Sequence, residues 1–178
     1  MDLTEKHLSR KPVYEGIIIN VSLDRASLPD GRIVNREVIW HPGGVAIIPV
    51  WPNGDVVTVT QYRYPFREEL LEIPAGKLEP GEEPLSCAIR ELGEETGITA
   101  DEFIDLGCIY PSPGFCQEKL YLYLALGLHE GEAHPDAGEF LYVGKVPIKE
   151  LVNRIMDGTL RDAKTIAAVF KAREYLKL

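Results

Sequence analysis

Short runs of alternating apolar and polar residues fill the first third of the chain, and turn residues separate them. Residues 14–23 and 32–40 flank Pro29-Asp30-Gly31, whose glycine is free to take positive φ, so a first hairpin is predicted there. Residues 45–51 and 56–63 flank Pro52-Asn53-Gly54-Asp55 and predict a second. From Pro84 the period lengthens, and Leu85, Ala88, Ile89 and Leu92 form one stripe at helical spacing. Pro84 suits a first helical position and Gly97 a left-handed cap, so a helix is predicted over 84–96. Residues 108–110 and 120–128 read as strands around a Pro111-Ser112-Pro113-Gly114 loop, and 140–146 as another. Two helices follow, over 148–157 and stopped by Gly158, and over 162–176 with Asp162 as N-cap. Helices mixed with hairpins predict an α/β fold with a mixed sheet. His41-Pro42-Gly43-Gly44 marks the expected boundary between an N-terminal antiparallel β segment, residues 1–42, and a main domain, residues 43–178.

Composition narrows the class. The 178 residues carry 19 Lys+Arg against 28 Asp+Glu, a net charge of −9, and 45% of them are apolar. A chain of that length builds a core without disulfides or a structural metal. An acidic chain without a basic stripe has no footprint for a phosphate backbone, so nucleic-acid binding is not expected. No signal-like apolar region opens the chain and no run approaches a membrane span, so a cytoplasmic, membrane-free protein is expected. Cys87, Cys108 and Cys116 form no C-x-x-C pair and read as reduced thiols.

The helix over 84–96 carries an unusual concentration of charge. At about 100° per residue, Glu91, Glu94 and Glu95 fall within one arc beside the apolar stripe. Like charges three and four residues apart cost about 0.2–0.5 kcal/mol per pair, and the negative end of the helix dipole adds to that. A hard cation such as Mg²⁺ or Mn²⁺ is the simplest compensation; a merely solvated acidic face is the other reading.

Around these glutamates stands Gly76-x5-Glu82-x7-Arg90-Glu91-Leu92-x-Glu94-Glu95-x-Gly97-Ile98. It resembles the Nudix hydrolase box G-x5-E-x7-R-E-U-x-E-E-x-G-U, where U is aliphatic, at every specified position. The resemblance implies an α/β/α sandwich with a mixed sheet. It also implies hydrolysis of a nucleoside diphosphate linked to a further group, with a divalent metal, Mg²⁺ or Mn²⁺. By carry-over, Glu91 and Glu95 are metal ligands, Glu94 is a ligand or positions water, and the Ala75 carbonyl is a further ligand. Glu82 and Arg90 structure the box, with Arg90 pairing to a carboxylate through its fork. Gly76 serves a turn in which the backbone approaches the metal.

Three segments outside the box resemble the ADP-ribose pyrophosphatase group of that family. They are Gln61-Tyr62-Arg63 with Glu72-Ile73-Pro74-Ala75-Gly76, the loop Pro111-Ser112-Pro113-Gly114-Phe115, and Arg161-Asp162-Ala163-Lys164-Thr165-Ile166. The resemblance implies cleavage of ADP-ribose to AMP and ribose 5-phosphate, with Pro113 at the substrate. The Arg63 fork suits two phosphate oxygens, or else a salt bridge to Glu69 or Glu72. Glu72 accepts from ribose hydroxyls or sits at a strand end. Glu118 positions the terminal ribose or is an exposed loop carboxylate. The family's ADP-ribose members also use a glutamate on a loop outside the box as base or ligand. Glu139 is that residue by alignment, with Asp136 in reserve and Glu91 or Glu94 as the alternative base; Ala137 and Gly138 stand where further acids are common.

In that group the N-terminal β segment exchanges across a homodimer and contributes adenine contacts. Residues 1–42 are too few to bury a core alone, so a homodimer is expected. Arg36 and Glu37 are adenine-side contacts or strand-surface charges, and Trp40, Trp51 and Phe115 stack on a base or pack. Two alternatives remain, a pyrophosphatase for another nucleoside diphosphate sugar and a non-catalytic Nudix ligand-sensing module. The complete glutamate set argues against the second.

Overall fold

In a computed structural model, residues 2–134, 138 and 140–178 are described. They divide into two compact units, Met1–Gly43 with Tyr110–Lys119, and Gly44–Ile109 with Leu120–Leu178.

The first unit is an antiparallel sheet of β1 (Lys6–Glu15), β2 (Asn20–Ser27) and β3 (Ile33–Trp40), in that order. The strand predicted over 14–23 is broken by a turn in which Gly16 N–H donates to Ile19 O at 3.0 Å, so β1 and β2 form a hairpin before the one at Pro29-Asp30-Gly31. The apolar run through Ile17, Ile18 and Ile19 hides that turn, and Ile17 is fully exposed. Every residue of β1 is exposed, so the strand shows no inside–outside alternation. In β2 the alternation is clear but polar: Ser22, Asp24 and Ala26 point inward. Arg10 holds Asp24 through two nitrogens at 3.0–3.2 Å and stacks over Trp40 at 3.7 Å. The loop 110–119 joins this unit through Ile39, whose N–H donates to Phe115 O at 2.8 Å.

The second unit contains β4 (Gly44–Pro49), β5 (Asp55–Arg63), β6 (Glu68–Glu72), β7 (Ala75–Lys77), α1 (Pro84–Thr96), β8 (Thr99–Ile109), β9 (Leu120–His129), β10 (Leu141–Pro147), α2 (Ile148–Met156) and α3 (Ala163–Leu176). One sheet runs β7-β4-β9-β8 and the other β10-β5-β6, and the β4–β9 pair is parallel, so the sheet is mixed. All of β4 is buried, and its alternating side chains feed two cores. Ala46 and Ile48 pack with Leu151 of α2 and Ala168 and Val169 of α3; Val45 and Ile47 pack with Ala88 and Leu92 of α1. Helices therefore cover both faces, as an α/β/α sandwich requires.

The second predicted hairpin is corrected. The turn at residues 52–55 exists, but β4 and β5 share only the Val50–Val56 bridge before entering different sheets. β6, β7 and most of β8 were not foreseen. Glu68-Glu69-Leu70-Leu71-Glu72 lacks a clean period of two, and β8 carries Asp101, Glu102 and Asp105 on a partly exposed strand. Among the described residues, no helix is long and apolar enough to cross a membrane.

Candidate active site

α1 begins with Pro84 at its first turn and ends where Gly97 takes φ 70° and donates its N–H to Gly93 O at 2.8 Å. Its buried face matches only half of the predicted stripe, Ala88 and Leu92. Leu85 and Ile89 are 43% and 51% exposed, while Cys87, Ala88, Leu92, Glu95 and Thr96 are buried. The helix is rotated so that the acidic arc turns inward, with Glu95 only 3% exposed. A missing side chain makes room: a Cβ on Gly76 would lie 1.8 Å from Glu91 Cδ.

Local bonds offset the crowding of charge. Arg90 Nη1 donates to Glu91 Oε1 and to Glu94 Oε2, both at 2.8 Å. Its Nε and Nη2 hold both oxygens of Glu82 at 2.9 and 3.0 Å. Arg90 thus ties the loop to the helix, and its own pKa is raised, chiefly by Glu82. The Arg90 hydrogen bond, with help from the Glu79 N–H, holds the Glu82 carboxyl down to about 2. Glu95 accepts from Ala75 N–H at 3.0 Å, which anchors it to β7. Burial pushes the Cys87 thiol up to about 12, so it is a packed, unreactive group.

The predicted metal residues Glu91, Glu94 and Glu95 therefore lie along one side of α1, and Ala75 meets Glu95 through its N–H. Among the described residues, no three His, Cys, Asp or Glu groups stand in a metal-binding arrangement. The donor set is carboxylate oxygen, which suits a hard divalent cation, and the space over Gly76 is filled by the Glu91 carboxylate itself.

Arg63 is bound as the salt-bridge alternative describes. Its Nε and Nη2 hold Glu72 at 2.7 and 2.6 Å. Glu72, at the end of β6, is 1% exposed and also accepts from Lys164 Nζ. Burial alone would push that carboxyl up, but Arg63 and Lys164 together hold it below its ordinary range. Lys164 has a sequence signal in the segment Arg161-Asp162-Ala163-Lys164-Thr165-Ile166, two residues after the Asp162 cap, but no role follows from it because Glu72 is distant in the chain.

The remaining predicted residues fall in the first unit or outside the description. Arg36, on β3, pairs with Glu5 at 2.7 Å, and Glu37 follows it on the same strand. Pro113 lies in the turn where Cys116 N–H donates to Ser112 O at 3.0 Å, and Glu118 lies 3.4 Å from His41 Nδ1. Glu139 and Asp136 lie outside the described residues.

The NUDIX domain model matches residues 40–169, which include the whole box and the sandwich around it. The chain belongs to the Nudix family. Among its relatives, an "ADP-ribose pyrophosphatase" of Bacillus subtilis is 37% identical over 99% of this chain and 94% of its own length. A "Methanol dehydrogenase activator" of Bacillus methanolicus is 38% identical over 98% and 93%. An "ADP-ribose pyrophosphatase" of Mycobacterium tuberculosis is 37% identical over 91% and 80%. A solved structure titled as an ADP compounds hydrolase superposes with a TM-score of 0.87 at 23% identity, over 99% of this chain and 97% of that one, which shows the shared fold.

Proposed function

We propose that this chain hydrolyses ADP-ribose to AMP and ribose 5-phosphate. The observation that carries the reading is the near full-length similarity to two ADP-ribose pyrophosphatases, in a chain whose box glutamates are all present, with Glu91, Glu94 and Glu95 gathered on α1 and Glu82 tied to it by Arg90. Water adds to one phosphorus, the bond to the bridging oxygen breaks, and that oxygen leaves on the other phosphate. Glu91, Glu94, Glu95 and the Ala75 carbonyl would hold Mg²⁺ or Mn²⁺, which neutralises diphosphate charge and lowers the pKa of the attacking water. Arg90 keeps Glu91 and Glu94 together and fixes Glu82, so it organises the box rather than touching substrate. Arg63 faces the diphosphate, and Glu139 takes the water's proton. By the resemblance, Pro113 and Glu118 contact the substrate, and Arg36 and Glu37 are adenine-side contacts supplied to a second copy.

The same proposal makes the enzyme a cytoplasmic homodimer that acts on small molecules. Its three free cysteines fit a reducing compartment. The exposed length of β1 is a surface that a second copy would cover.

The test is turnover of ADP-ribose with and without Mg²⁺, repeated after chelation. The reading requires activity that chelation abolishes and Mg²⁺ restores. Metal-independent turnover would remove the metal assignment. A second reading, an accessory protein acting on another enzyme, is favoured by the Bacillus methanolicus relative, and complete lack of turnover would favour it.

A further inference from the structure

The start of α3 sets a charged cluster against the strand that leads into the Nudix box. Lys164 is nearly buried, with 11% of its side chain exposed, and it pairs with Glu72 and, at 3.0 Å, with Asp162. Burying an ammonium costs desolvation that a helix start does not require. Asp162 already caps α3 by accepting from Thr165 N–H at 3.0 Å, so capping does not account for the lysine.

The geometry leads from Lys164 outward. Glu72 Oε2 receives both Lys164 and Arg63 Nη2, and Oε1 receives Arg63 Nε. The guanidinium is planar, so holding its Nε–Nη2 edge fixes where Nη1 points. Arg63 is the most exposed member of the cluster, at 38%, and the Glu95 carboxylate acts on its charge across the site. Thr165 Oγ1 accepts from Ile73 N–H at 3.0 Å, which pins the residue after Glu72 to the same helix.

We propose that Lys164 is a positioning residue: through Glu72 it fixes the Arg63 fork so that the Nη1 edge meets the substrate diphosphate, without touching substrate itself. This rests on the ADP-ribose reading above. Without Lys164, Glu72 keeps one cation, its carboxylate is free to rotate, and the fork rotates with it.

The test is a double-mutant cycle on Lys164→Met and Arg63→Ala, with KM and kcat for ADP-ribose at saturating Mg²⁺ and ADP-ribose binding without metal by calorimetry. Lys164→Met is expected to raise KM and weaken metal-free binding about tenfold, with kcat within about threefold, as loss of one charge-assisted contact predicts. In the Arg63→Ala background the same substitution should add almost nothing, because both act on one contact. Lys164→Arg should recover part of the loss. If Lys164→Met does not fold, Glu72→Gln, nearly the same shape, takes its place with the same expected non-additivity. Additive effects on KM, or loss confined to kcat, would overturn the inference while leaving the function intact. A wild-type protein that neither binds nor cleaves ADP-ribose would overturn both.

Discussion

At the scale of single residues, the box works because carboxylates that should repel are each given a partner. Glu91→Gln and Glu95→Gln keep the shape of those side chains and remove their charge. Each is expected to lower kcat by about a hundredfold or more while melting close to wild type, as removal of a metal ligand predicts. Near-normal kcat in both would end the metal assignment. Gly76→Ala is a subtler probe, since the added Cβ would stand 1.8 Å from Glu91 Cδ and 2.0 Å from its Oε1. The end of a flexible side chain gives way cheaply, so stability should hold while the carboxylate moves and turnover falls by about tenfold or more. Arg90 and Glu82 make the site's stability sensitive to acid. Because the Glu82 carboxyl is held from 4.5 down to about 2 in the folded protein, the pair contributes fully above about 4.5 and is lost as pH falls toward 2. Urea midpoints should therefore drop more steeply across that window for wild type than for Glu82→Gln, and parallel curves would show that the pair does not stabilise the fold.

At the scale of elements, α1 shows what the sequence carries and what it does not. Its bounds follow from Pro84 and Gly97, and both ends are where local chemistry places them. Its orientation does not follow, because apolarity alone puts Leu85 and Ile89 inside. The structure keeps Ala88 and Leu92 inside but turns Cys87 and Glu95 inward in place of Leu85 and Ile89, since Gly76 opens a space for Glu91 and Ala75 N–H satisfies Glu95. Leu85→Lys and Ile89→Lys should accordingly change stability by no more than about 0.5 kcal/mol. Leu92→Ala, at a fully buried position, should cost about 2–5 kcal/mol by denaturant unfolding. A cost at Leu85 and Ile89 as large as that at Leu92 would restore the predicted stripe. α3 was legible to its cap, Asp162, because capping is local. The role of Lys164 was not, because Glu72 and Arg63 reach it from strands about a hundred residues earlier in the chain.

At the scale of the whole molecule, the motif was legible and the strand order was not. Nine specified positions at fixed spacing name a family, whereas sheet order depends on long-range pairing such as β4 with β9. The apparent hairpin at residues 52–55 illustrates the limit, since one turn serves equally to join two strands of a sheet or to pass between sheets. The N-terminal unit bears on assembly, because a strand with no buried residue gains from a second copy. Light scattering at micromolar protein should return about twice the 19.9 kDa chain mass, and a monomer would reject the exchanged-segment picture. The central claim is the reaction, and ³¹P NMR of the products from ADP-ribose with Mg²⁺, beside ADP-glucose and GDP-mannose, tests it most directly. Stoichiometric AMP and ribose 5-phosphate, with ADP-ribose preferred by about tenfold or more, is the predicted result. Turnover of none of the three, or preference for another sugar, would contradict it.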